Sequence, residues 1–115
     1  MEIDEIFQTF KVKLVGCNFA KPTRTPAVGD VIKIKLEPDN KFDPDAIMVL
    51  NHNGEKIGYI GTNNTVSEGN KANGCLDNKT LKSLVDFKDD QDYLGIITKF
   101  KGYFGFIDIT VVKDD

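Results

Sequence analysis

Histidine occurs once in this 115-residue chain, as His52, and cysteine twice, as Cys17 and Cys75. A structural zinc site needs about four nitrogen or sulfur ligands at local spacing, so the chain lacks the means for one. The two cysteines lie far apart and form no C-x-x-C pair. They read as partly buried free thiols, since a disulfide is disfavoured in a reducing compartment. No apolar run is long enough to cross a bilayer. The opening Met1-Glu2-Ile3-Asp4-Glu5 is acidic, where a secretory leader begins basic and continues apolar, so a cytoplasmic location is expected. Neither G-x-x-x-x-G-K-[ST] nor G-x-S-x-G occurs. His52 sits between Asn51 and Asn53 in a turn-like stretch, which is a solvent-facing position and no basis for a Cys/His nucleophile pair. Catalysis therefore has no motif, and no cofactor or metal is expected.

Charge is close to balanced in total, at −3, and uneven along the chain. The first ten residues carry three acids and no base; residues 11–41 carry seven bases against three acids; residues 42–115 carry eight bases against twelve acids. An acidic total argues against strong nonspecific duplex binding, in which phosphate neutralisation dominates, and leaves room for a small local basic face. The plainer account of the lysines is that they are the solvated side of half-buried strands.

Period-two alternation carries most of the structural signal. "FKVKLVGC" places Val12 and Leu14 on one face and Lys11 and Lys13 on the other; "VIKIKLEP" places Ile32, Ile34 and Leu36 inward and Lys33 and Lys35 outward, ending at Pro38. "AIMVLN" is a short apolar run that reads as a strand buried on both faces. Asn53-Gly54 before "EKIGYIG" predicts one hairpin, and Lys101-Gly102 between "DYLGIITKF" and "FGFIDITVV" predicts another. Residues 62–76, rich in asparagine and glycine, read as an irregular loop with one helical turn. Asp77 or Asn78 caps a short helix that buries Leu81, Leu84 and Val85. About six strands with one or two short helices predict a mainly β fold, a small OB-like closed β-barrel forming one domain over residues 1–115. The phenylalanines and tyrosines are ample for its core, and Lys113 to Asp115 read as a frayed end.

One stretch stands apart. "EPDNKFDPD", residues 37–45, gathers Glu37, Asp39, Asp43 and Asp45 with Pro38 and Pro44 around a lone aromatic, Phe42. A calcium loop needs acids at its first, third and fifth positions, glycine at the sixth and glutamate at the twelfth, and the pattern fails from Asp39 and from Asp43. Asx turns at a strand entry account for the same aspartates. On the residues alone, Phe42 anchors the loop in the barrel end and Asp43 caps a turn.

Gly16 followed by Phe19, then "GDVIKIKLEPDNKFDPDAIMV", then "GEKIGYIG", resembles the HIRAN domain. That family has a glycine-aromatic segment after its first strand, an E-P-x-N-x-aromatic-D-x-x-A-I-x-V block and a G-x-x-I-G-[YH] strand. Here Glu37, Pro38, Asn40, Phe42, Asp43, Ala46, Ile47 and Val49 fill the block, and the match is strongest over residues 11–61. HIRAN domains are similar in fold to OB barrels. They occur fused to DNA translocases or as free-standing bacterial and phage proteins, and in the fused proteins they grip the 3′ end of single-stranded DNA. The resemblance implies a non-catalytic module whose partner is single-stranded DNA or RNA. It implies Phe19 and Phe42 as two stacking walls, Asp43 as acceptor for a terminal ribose hydroxyl, and Asn40 near the last phosphate. Tyr59 takes the family's histidine-or-tyrosine place, Phe104 adds an aromatic contact, and Lys21, Arg24 and Lys41 follow the phosphates. End-binding members carry a basic residue before the first aromatic, where this chain has Asn18, and Gly61-Thr62-Asn63 is also less basic. Two other functions fit the same barrel: a protein-interaction module that recruits a helicase or nuclease, and a hydrolase holding Mg²⁺ on Asp39, Asp43 and Asp45.

Overall fold

Alternating apolar and polar residues build strand β1 (Phe7–Val15), whose Phe10, Val12 and Leu14 point into the core while Thr9 and Lys11 face out. The computed structural model describes residues 7–17 and 20–112. The same pattern makes β2 (Val31–Leu36), with Ile32 and Ile34 buried and Lys33 and Lys35 exposed. Next come β3 (Ile47–Leu50), β4 (Lys56–Ile60), helix α1 (Glu68–Ala72), a two-residue strand β5 (Cys75–Leu76), helix α2 (Asn78–Leu84), β6 (Tyr93–Phe100) and β7 (Gly105–Val112).

The strands run in the order β4-β3-β2-β6-β7-β1, and β4 also pairs with β1, so six antiparallel strands close into a barrel. Strand β5 adds in parallel to the outer edge of β1, pairing Lys11 with Cys75. The barrel predicted from sequence is thus the fold, with this one extra strand. Both expected hairpins form. The left-handed backbone that their turns require falls on glycine, at Gly54 (φ 80°) and Gly102 (φ 89°). The β1–β4 seam is tight: a Cβ at Gly58 would stand 2.5 Å from the Val15 carbonyl oxygen and 2.9 Å from Leu14 Cδ1. Only glycine lets the two backbones approach this closely.

The core is aliphatic. Leu14, Ile32, Ile47, Ile57, Ile60, Ile97, Ile107 and Ile109 fill the barrel, and Leu81 of α2 packs with them. Phenylalanine contributes less than expected: Phe10 is the one buried example among the described residues, while Phe42 and Phe7 are exposed and Phe87, Phe100, Phe104 and Phe106 lie part-way. Phe87 and Phe100 pack against the margin of the core rather than inside it. Strand β3 is not buried on both faces either, because Ile47 and Val49 point inward while Met48 and Leu50 remain half-exposed. Asp77 caps α2 by accepting the Thr80 N–H at 2.9 Å. Leu81 and the following Val85 are buried, whereas Leu84, expected in the core, is 57% exposed. The helix is too short to bury a wider stripe.

Both cysteines are free and buried, and burial pushes both thiols above their usual pKa, which makes them poor nucleophiles. His52 is exposed in the β3–β4 turn. No helix among the described residues is long and apolar enough to cross a membrane. The expected frayed end at Lys113 to Asp115 lies outside the described residues.

Candidate functional site

An open groove of about 1030 Å³ lies between the barrel wall and the residue 37–43 loop. Its floor is a cross-strand row on neighbouring strands: Val15 pairs with Tyr59, and Tyr59 pairs with Met48. Leu36 and Ile60 extend this apolar surface, and Asp39, Lys41, Phe42 and Asp43 stand along one side of it. Such a cleft, apolar below and polar at its rim, suits a flat ring with polar substituents.

The loop is fixed by its own side chains. Asn40 Oδ1 accepts the N–H of Phe42 at 2.9 Å and of Asp43 at 3.0 Å, an Asx turn that sets the backbone under the aromatic. Asn40 Nδ2 donates to Glu37 Oε1 at 2.8 Å. The Ala46 N–H donates to the Asp43 carbonyl, and the Glu37 N–H to the Ala46 carbonyl, so the loop closes on itself where β2 ends and β3 begins. On this rigid turn Phe42 is 97% exposed. The structure thus excludes Phe42 as a loop anchor, because its ring meets almost no protein.

Asp43 is half-buried. Its Oδ1 accepts the Asp45 N–H at 2.9 Å and its Oδ2 accepts Asn78 Nδ2 at 2.9 Å. The turn-capping role read from sequence is present. A carboxylate has about four acceptor sites, so Asp43, which lines the groove, keeps acceptor capacity beyond these two bonds. Asp45 turns away to Lys82 at 3.0 Å and Lys79 at 3.9 Å. No three His, Cys, Asp or Glu side chains come together as a metal-holding group among the described residues.

A second network ties the start of the loop to the groove floor. The Tyr59 hydroxyl donates to Glu37 Oε1 at 2.8 Å, and Lys56 Nζ donates to Glu37 Oε2 at 3.0 Å and to the Tyr59 hydroxyl at 2.8 Å. Lys56 Nζ also lies 5.0 Å from the Tyr59 ring centroid. Residues three apart on a strand normally face opposite ways. Here Leu50 pairs with Lys56 and Val49 with Gly58, so a bulge in β4 turns Lys56 to the Tyr59 side. Burial pushes the Glu37 carboxyl upward, and the hydrogen bonds from Lys56, Tyr59 and Asn40 together with the Lys56 charge outweigh it, leaving Glu37 below the ordinary glutamate value. Lys56 is correspondingly raised, first by its Tyr59 and then by its Glu37 hydrogen bond.

The remaining sequence-derived positions fall apart from one another. Asn40, Lys41, Phe42, Asp43 and Tyr59 meet at the groove. Phe19 and Asn18 lie outside the described residues. Phe104 does not line the groove. It sits half-buried beside Tyr103 and Phe106, with ring centroids 5.0 and 6.0 Å away, under Lys13 Nζ at 5.1 Å. Lys13 is two residues from Val15 on the outer face of β1, so this aromatic cluster flanks the groove floor. Arg24 is bound to Asp30 at 3.1 Å and lines a separate small hollow beside His52. Lys21 is exposed and not part of the groove wall. Sequence reasoning missed Asn78 and the Lys56–Glu37–Tyr59 network. Glu37 stood in the recognised block, but the bulge that brings Lys56 to it leaves no local signature.

The HIRAN domain model matches residues 7–67, more than half of the chain. The fold is similar to the crystal structure of the HIRAN domain of human HLTF, with a TM-score of 0.64 and 14% identity over 96% of this chain and 79% of that one. It is also similar to the crystal structure of a protein from Lactobacillus plantarum, with a TM-score of 0.56 and 17% identity over 90% of this chain and 97% of that one. No curated protein matches in sequence.

Proposed function

The chain belongs to the HIRAN domain family, a family of nucleic-acid-binding modules, and from that premise we propose that it binds single-stranded nucleic acid at a 3′ terminus, as one domain and without chemistry of its own. The observation that carries this reading is Phe42: an aromatic 97% exposed on a turn whose backbone is tied down by Asn40. An exposed ring on a mobile loop would lose binding energy to ordering; on a fixed turn it is ready to stack. Stacking of one base on an aromatic contributes about 1–3 kcal/mol. The terminal base lies against Phe42 and the apolar row of Val15, Tyr59 and Met48, and Phe19 is the second wall by family analogy. Asp43 accepts a hydrogen bond from the terminal ribose hydroxyl and repels a phosphate in its place. Asn40 borders the last phosphate. Lys41 at the rim and Lys13 beside Phe104 lie on the route of the preceding phosphates, whereas Arg24 has its charge committed to Asp30 and contributes little.

A labelled ten-nucleotide strand tests the reading. Strands ending in 3′-OH bind more tightly than the same strands ending in 3′-phosphate, and Asp43→Ala removes the difference. Equal binding of both strands by the unaltered protein overturns the end-reading claim. Matched DNA and RNA strands decide the sugar preference.

A second reading, a docking module for a helicase or nuclease, has one observation in its favour. Val31 and Ile96 pair directly across β2 and β6 and are 50% and 48% exposed, with Leu94 beside them at 44%. Binding through that apolar face would be insensitive to salt, whereas nucleic-acid binding falls steeply as salt rises.

A further inference from the structure

The geometry points to Asn78 as a positioning residue for the Asp43 carboxylate, making the start of helix α2 part of the device that tells one strand terminus from another; this inference rests on the end-reading function proposed above. Asn78 is 3% exposed and is the sole buried polar side chain among the described residues. Nothing about helix initiation demands it, because Asp77 already supplies the cap. Both ends of its side chain are engaged: Nδ2 donates to Asp43 Oδ2 at 2.9 Å and to the Asp45 carbonyl at 3.1 Å, and Oδ1 accepts the Lys79 N–H at 2.9 Å. Its backbone N–H donates to the Gly61 carbonyl at 2.9 Å. A single residue thereby ties the 37–46 loop, the end of β4 and α2 together at the groove wall.

The consequence for Asp43 is rotational. The Asp45 N–H alone would hold Oδ1 and leave the carboxylate free to swing about its last torsion, a broad and soft one for aspartate. The Asn78 amide pins Oδ2 and fixes the plane of the group, so the remaining lone pairs keep one direction. An amide does this without charge. A lysine there would neutralise the carboxylate and weaken its rejection of a terminal phosphate, and a carboxylate would repel it.

Asn78→Asp is the test, since it keeps size and shape and replaces the donor by an acid. Two carboxylates this close share a proton, and the shared O–H then stands in for the lost N–H. The other charged groups around position 78 are Asp45 on the loop and Asp77, Lys79 and Lys82 on the helix segment, all of which the unaltered protein also carries. Thus the unaltered protein, measured in parallel, reports their own titration. Affinities for 3′-OH and 3′-phosphate ten-nucleotide strands are measured at about pH 8 and about pH 5. A terminal phosphate itself loses about one negative charge over this range, so the unaltered protein sets the reference preference at each pH and the variant is read against it. The variant should lose about tenfold in preference at the higher pH, equivalent to about 1.4 kcal/mol, and regain it at the lower.

Full preference in the variant at both pH values overturns the inference, and so does a preference lost at both in a protein that melts normally. If the variant fails to fold, the unaltered protein decides: its Asn78 side-chain amide resonances should shift on adding the 3′-OH strand and stay in place with the 3′-phosphate strand, and identical responses to the two strands refute the role. Should the unaltered protein show no preference at all, the end-reading function fails and this inference with it; a preference retained by the variant removes Asn78 alone.

Discussion

The Tyr59 hydroxyl meets the Glu37 carboxylate at 2.8 Å across the groove wall, and Lys56 bridges both groups. This triangle joins Glu37, where the loop leaves β2, to β4, so the loop is tied to the groove floor at its first residue. Its ionisation has a definite sign. Glu37 is held below the ordinary glutamate pKa, so its stabilisation is present above the unfolded value of about 4.3 and is lost as pH falls through the lower folded value. Replacing Glu37 by Gln should lower stability by about 0.5–1 kcal/mol at neutral pH, a modest figure because Lys56 is solvent-accessible. Thermal melts between pH 7 and pH 3 should show the gap between the two proteins narrowing with acid.

Phe42→Ala should separate binding from folding. The ring is almost wholly exposed, so the melting temperature should hold. Affinity for a single strand should fall by about 1–3 kcal/mol, the range for one lost base stack. Fluorescence anisotropy against a labelled strand and a melt on the same preparation check both halves. A drop in stability would mean that the ring packs in solution.

Asn40→Ala should do the opposite of a clean separation. It removes the acceptor for two backbone N–H groups and a donor to Glu37. The expected cost is about 1–3 kcal/mol in stability. Strand affinity should fall as well, because Phe42 loses its fixed platform. Hydrogen exchange at the Phe42 and Asp43 amides is the direct measurement, and both should exchange faster.

The two basic positions should also divide. Lys41→Ala should weaken binding and reduce the slope of log affinity against log salt by about 0.7, the single-strand value for one phosphate contact. Arg24→Ala should leave both unchanged, since Arg24 is paired with Asp30 away from the groove. A salt titration of the two variants side by side checks this.

Gly58→Ala should damage the barrel itself. The new methyl would meet the Val15 carbonyl at 2.5 Å, with backbone on the far side. Overpacking of this kind costs about 1–3 kcal/mol. Denaturant unfolding should show the loss as a lower midpoint.

What the sequence made legible, and what it hid, follows from range. Strands β1 and β2 could be read because every second residue is apolar, and the hairpins because Asn53-Gly54 and Lys101-Gly102 fix tight turns locally. Strand β5 could not be read, since two residues carry no period and its pairing with Lys11 and Val12 is long-range. Leu84 misled because helical spacing predicts a face, while the neighbours that would cover it are a tertiary matter. The phenylalanines misled for a related reason: hydrophobicity alone does not say that isoleucine fills the barrel and leaves most of the phenylalanines at its margin. At the site, the contiguous block of residues 37–49 was recognisable as a motif. The contributions of Lys56 and Asn78 depend on a bulge and on a contact across 35 residues of chain, which no local pattern records.

Strand β1 pairs with β7 from Phe7 opposite Val112 to Leu14 opposite Gly105, all but its last residue. The two strands stand far apart in the chain, so this ladder closes a long loop. A barrel in which β7 has not docked has a bare edge on both β1 and β6, the state in which a sheet recruits other chains. Docking of β7 is the step that removes both edges at once, and a lesion that delays it would expose them together.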